Sequence, residues 1–193
     1  MSKTYRCRVR KDVSVVSKAA DEVRYKVGLL DILDPDEMRE HYRKSLQALG
    51  AQEGKDGKFV VEVAGAKVTV DPNARSAVAE VAEKERITVS TDRVVAVRNV
   101  QDDEAAARQE AERRVGQELA AEAAKRKRSH EERVRGKLDA ADEAVRAKLR
   151  EAANEAHKSA LRAKADRLGK VMADKEETLA NGDKRVTLEV ELE

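Results

Sequence analysis

Residues 103–168 read DEAAARQEAERRVGQELAAEAAKRKRSHEERVRGKLDAADEAVRAKLREAANEAHKSALRAKADRL. Ala, Glu, Arg, Lys and Leu dominate the stretch, and these are the strongest helix formers. No proline follows Pro72. Asp102, Asp103 and Glu104 put negative charge where a helix beginning here favours it, and Gly169 supplies a C-terminal stop. At 1.5 Å per residue an unbroken helix of this length spans roughly 100 Å. That exceeds the diameter of a small domain, so the expectation is a helix that projects, or one that folds back at Gly116, Ser129-His130 or Gly136. Charge favours the hairpin. Residues 102–124 carry seven acids against three arginines, and a basic stretch then opens at Lys125-Arg126-Lys127-Arg128. Acidic and basic halves attract when the chain doubles back.

The second half of this stretch carries an apolar stripe at Val134, Leu138, Ala141, Val145, Leu149, Ala152, Ala156, Ala160 and Ala163. Its steps of three and four average close to 3.6 residues, whereas a coiled-coil heptad averages 3.5. A nearly straight helix lying on a flat partner surface is implied, with small alanines permitting close approach. Val134, Leu138, Val145 and Leu149 are therefore candidate partner-binding residues. Lys125, Arg126, Lys127 and Arg128 are the others, as a basic cluster on a helix. Through residues 125–137 such a helix can neutralise phosphates. Against nucleic acid stand the near-balanced net charge of +2 and the lack of any aromatic residue in 103–168 for base stacking. A solvated face with Glu122, Glu131 and Glu132 at ion-pairing distance accounts for the same cluster.

Outward from the helix, the flanks alternate as strands do. Tyr5, Cys7, Val9, Val13 and Val15 share one face and Arg6, Arg8, Arg10 and Asp12 the other. A second strand through Val23, Tyr25, Val27 and Leu29 follows. Asp34, Pro35 and Glu37 then form a capping-box start, and Met38, Tyr42, Leu46 and Leu49 recur at helical spacing up to Gly50. This predicts a helix over 35–49. Phe59, Val61 and Val63 predict a strand that turns at Ala64-Gly65 into Val68 and Val70. Residues 74–84 are open between helix and strand, and 85–91 alternate as a strand. At the far end, Asn181-Gly182 signals a hairpin, and Val186, Leu188, Val190 and Leu192 alternate with Thr187, Glu189 and Glu191. Arginines 6, 8 and 10 and glutamates 189, 191 and 193 would attract across paired strands. The expected fold is therefore α+β, with an antiparallel sheet completed by both termini, helix 35–49 packed on it and a long charged helix or helical hairpin at about 103–168. Residues 1–101 and 169–193 form one domain in this reading, and 102–168 is a helical insertion.

Chemistry is poorly represented. Cys7 is the only cysteine and lies on the apolar face of the first strand, as inert core cysteines do. His41, His130 and His157 stand in no metal-ligand spacing. Asp31, Asp34, Asp36 and Glu37 lack the register of a calcium loop. No phosphate loop, nucleophile elbow or triad pattern is present. The opening MSKTYRCRVR carries no signal-peptide core, and no apolar run approaches the ~18 residues of a membrane span. A cytoplasmic protein without catalytic, cofactor or metal residues and without a membrane role is expected.

Two segments carry a family resemblance. TYRCRVRKDVSVVSKAADEVRYKVGLLDIL with DPDEMREHYRKSLQALG resembles the accessory domains of bacterial FtsH ternary systems. So does NEAHKSALRAKADRLG through to RVTLEVELE. These systems are gene neighbourhoods holding an FtsH-like AAA+ ATPase and proteins with von Willebrand-type domains. The resemblance covers both ends and the strand–helix–strand layout. It implies a non-catalytic adaptor or scaffold whose partner is an AAA+ ATPase or a von Willebrand-type protein, and it brings no site residues with it. Two other readings stand beside it. One is a self-assembling homo-oligomer pairing through terminal strands or long helices; the other is a nucleic-acid-binding protein.

Overall fold

The computed structural model describes residues 3–99, 104–178 and 184–192. The expected Asn181-Gly182 turn, the acids Asp102 and Asp103, and Glu193 lie outside them. In chain order the elements are β1 (Lys3–Lys26), α1 (Pro35–Ala48), β2 (Gln52–Glu53), β3 (Phe59–Val63), β4 (Ala66–Asp71), β5 (Ser76–Asn99), α2 (Glu104–Leu168), β6 (Gly169–Thr178) and β7 (Lys184–Leu192). The class is α+β, as expected.

Each terminal strand closes an antiparallel sheet, but not the same sheet. The larger sheet has the order β1-β5-β4-β3-β2, while among the described residues β6 pairs with β7 alone. The expected facing of N-terminal arginines and C-terminal glutamates is replaced by a pair within the larger sheet. Arg8 meets Asp92 of β5 at 2.8 Å, and β7 turns instead to β6, with Val190 opposite Val171. Physically, β5 offers β1 a partner as long as itself. Both strands run 24 residues. The two strands expected at each end of β1 are one strand, and the open stretch 74–84 enters β5 from Ser76. Contacts Arg8–Asp92 and Ser14–Thr88 fall in opposite chain directions, so β1 and β5 are antiparallel.

α2 is one uninterrupted helix of 65 residues. The hairpin that charge favoured does not form, because Gly116, Ser129 and Gly136 each cost a helix at most about 1 kcal/mol. The neighbouring residues outvote them. The chain gathers into two compact units, one of Met1–Asp21 with Ala82–Gly136, the other of Glu22–Val81 with Lys137–Glu193. α2 contributes to both, packed in each against strands.

In the first unit, Val9 of β1 and Ile87, Val89 and Val97 of β5 pack with Ala107, Ala111, Val115, Leu119 and Ala123 of α2. The second unit is built round α1, β3 and β4, with Met38, Tyr42, Phe59 and Val70 all fully buried. α1 starts with Pro35 at its first position, and Glu37 reaches back to the Asp34 backbone N–H. The Asp34 side chain makes no cap bond, so only half the capping box is realised. At the other end Gly50 takes φ +84°. Ala51 then donates to the Leu46 carbonyl and Gly50 to that of Gln47, both at 3.0 Å. This is a Schellman ending, and it needs the glycine.

Candidate functional site

The basic segment of α2 sits on a helix that carries a buried apolar row. Ala107, Ala111, Val115, Leu119 and Ala123 recur every fourth residue, and all are buried. On a helix of 3.6 residues per turn, steps of four drift about 40° each. The buried row therefore winds round α2, as it must to follow a pair of strands with right-handed twist. Next along this row comes His130, then Val134, at 2% and 1% exposure.

Lys125, Arg126, Lys127 and Arg128 are all exposed, and as four consecutive residues they spread round most of the helix's circumference. Arg126 binds Glu122 at 2.6 Å and reaches the Thr88 carbonyl at 3.4 Å. Lys127 lies 3.8 Å from Glu131. Lys125 and Arg128 have no ion pair among the described residues. Beside them is a surface hollow of about 420 Å³ whose rim includes Arg86, Arg126, Arg133 and Glu85. Glu85 is itself taken by Arg133. The surface is therefore locally positive, suited to carboxylates or phosphates.

Beneath the basic segment lies a polar contact that the sequence reading missed. His130 Nδ1 is 2.8 Å from Ser17 Oγ, and both side chains are buried. The other ring nitrogen has no hydrogen-bond partner, with Glu83 and Glu85 carboxylates each 3.8 Å away. Serine, histidine and glutamate make a hydrolytic relay only if substrate reaches the hydroxyl and the carboxylate hydrogen-bonds the ring. Here Ser17 is completely buried and 3.8 Å is beyond a hydrogen bond. The contact fixes α2 on β1. Its signal was the odd-numbered parity of β1, which carries Ser17 inward after Val13 and Val15.

The apolar candidates are buried. Val134, Leu138, Val145 and Leu149 are at most 9% exposed. Val145 and Leu149 line an apolar pocket with Leu46, Val68 and Val70. The other histidines are engaged separately. His41 Nδ1 lies 2.9 Å from Ser159 Oγ, and His157 Nε2 accepts the Leu30 N–H at 2.9 Å. Cys7 is half-buried and free. Among the described residues no three His, Cys, Asp or Glu side chains gather as metal ligands, and no helix is long and apolar enough to cross a membrane.

The family model for FtsH ternary system domain X5 matches residues 1–192. The chain belongs to this family. The X5 match takes in both ends on which the resemblance rests and the whole of α2 between them. No curated protein and no solved structure matches the chain.

Proposed function

We propose that this X5 domain is a non-catalytic adaptor of an FtsH-linked system, docking an acidic surface of a partner protein on the basic segment Lys125–Arg128. One observation carries the reading. In the first unit α2 packs its apolar row on β1 and β5, which holds the exposed basic residues on an immobilised helix instead of a free arm. Immobilised charges lose less entropy on docking and steer an oppositely charged partner. The family points to the partner's context, an FtsH-like AAA+ ATPase or a von Willebrand-type protein of the same system. The long helices no longer favour self-assembly, since their apolar stripe is buried.

The test is direct binding of the purified chain to each of those two proteins from its host. Wild type binds one of them, and replacing Lys125, Arg126, Lys127 and Arg128 by alanine weakens it at least about tenfold at unchanged melting temperature. Binding to neither, or unaltered affinity of the variant, overturns the proposal. Retention of nucleic acid lost with the same variant would put the phosphate reading in its place.

A further inference from the structure

The end of β1 and the second half of α2 enclose a groove of about 380 Å³ in the second unit. Its lining on that side is five consecutive residues, Arg24 to Gly28: the last three of β1 and the two that follow. Only alternate residues would line a cavity on a sheet's face, because successive side chains point to opposite sides. Five in a row mean that the groove runs along the strand's edge. β1 is the outermost strand of its sheet. Val27 donates its N–H inward to Arg75, at 2.9 Å. Successive backbone groups of a strand alternate between its two edges, so Lys26 and Gly28 turn theirs to the open side. Leu30 has the same parity, and there α2 meets the edge directly, with His157 accepting the Leu30 N–H.

The opposite wall is a single row of α2, including Arg146, Arg150, Asn154 and His157. From Arg146 to His157 the helix rises about 16 Å, and an extended stretch from Arg24 to Gly28 spans about 14 Å, so the two walls are of comparable length. No carboxylate lines the groove. Arg24 and Arg146 are held by Glu22 and Asp142, while Lys26 and Arg150 have no ion pair among the described residues. His157 accepts at Nε2 and is kept neutral by burial, which leaves its Nδ1 a donor. Lys26 projects from the sheet face opposite Tyr25 and Val27, whereas Arg150 comes from the helix. Cations thus flank both faces of anything lying along the edge. Gly28 leaves room there: nothing lies within 4 Å of where its Cβ would be.

We infer that this groove binds an extended acidic peptide segment of a partner protein, which pairs its backbone with the open edge at the end of β1, Arg24 to Lys26, and the two residues that follow. Backbone pairing supplies binding that is indifferent to side chains, and Lys26 and Arg150 select for glutamate and aspartate. The site stands apart from the basic segment of the first unit and does not depend on the adaptor reading.

The experiment titrates the full chain with a labelled eight-residue peptide of glutamate and threonine at physiological salt. The same peptide N-methylated at alternate amides, made in both phases, keeps the charge and loses the backbone donors along one edge. Saturable binding is expected, weakened about tenfold or more by methylation in one phase. Lys26→Glu with Arg150→Glu weakens it similarly at unchanged circular dichroism, and Lys125→Glu with Arg128→Glu does not. Equal binding of parent and both methylated peptides overturns the inference and leaves a diffuse cationic surface. So does no binding of the parent, or loss with the 125/128 variant alone.

Discussion

Tyr42 is fully buried, and its hydroxyl has no hydrogen-bond partner. Burial alone pushes its pKa upward. A stranded hydroxyl costs about 1–3 kcal/mol, so Tyr42→Phe should be neutral or stabilising, by up to ~1 kcal/mol in urea unfolding. Tyr42→Ala should cost about 3–5 kcal/mol; a Phe variant as damaged as that would mean a buried partner for the hydroxyl. His157 gives a pH prediction. Burial lowers its pKa below 6.5, so the unfolded chain takes up this proton first as pH falls. The stability it contributes is complete above pH 6.5 and is lost below. His157→Gln should flatten the fall in unfolding midpoint between pH 7.5 and 5.5, and an unchanged slope would sink the assignment. Met38 and Tyr42 were legible as core from spacing alone. The Leu30–His157 bond was not, since no periodicity relates positions 127 residues apart.

At the scale of elements, α2 passes through the glycines at which a break was expected. Gly136 is exposed, with nothing within 4 Å of its would-be Cβ, so Gly136→Ala should stabilise by about 0.5–1 kcal/mol. At Gly116 the new methyl would sit 2.9 Å from Lys11 Nζ. That is the tip of a flexible side chain, so a smaller gain is expected there as Lys11 swings aside. Leu138→Ala should cost about 2–5 kcal/mol, and thermal melts of the three variants would rank them. The stripe from Val134 onward was readable because valine and leucine mark it. The row from Ala107 to Ala123 escaped because it is mostly alanine and its four-residue steps wind, which a fixed 3.6 template does not follow. β1 was read as two strands for a related reason. Its middle, Ser17 to Ala20, lacks apolar signal, and the inward hydroxyl of Ser17 is satisfied by a histidine 113 residues away. The groove on its edge was illegible too, since only topology says which strand is outermost.

Taken whole, the molecule is dense in charge, and its arginines lower the pKa of several carboxyls. Glu37 is lowered by Arg167, Asp92 by Arg8, and Asp142 by Arg146. Glu110, gripped by Arg113 and Arg114, is pushed down to about 2. Folded values below unfolded ones mean that these contributions are intact above about pH 4.5 and vanish as pH falls towards the folded values. The melting temperature should therefore drop from pH 6 to pH 3, by less in 1 M salt, which screens exposed pairs. An acid limb indifferent to salt would refute the ion-pair origin. The α+β class was readable from these patterns, but the grouping into units was not, because alternation identifies a strand without naming its neighbour. That grouping bears on how the chain is made. The first 21 residues belong with residues 82–136, and residues 22–81 with 137–193. On a ribosome adding about 5–20 residues per second, β1 waits many seconds for α2, its inward valines uncovered. Neither unit can close early, so the nascent chain is a substrate for chaperones well before it is anyone's partner.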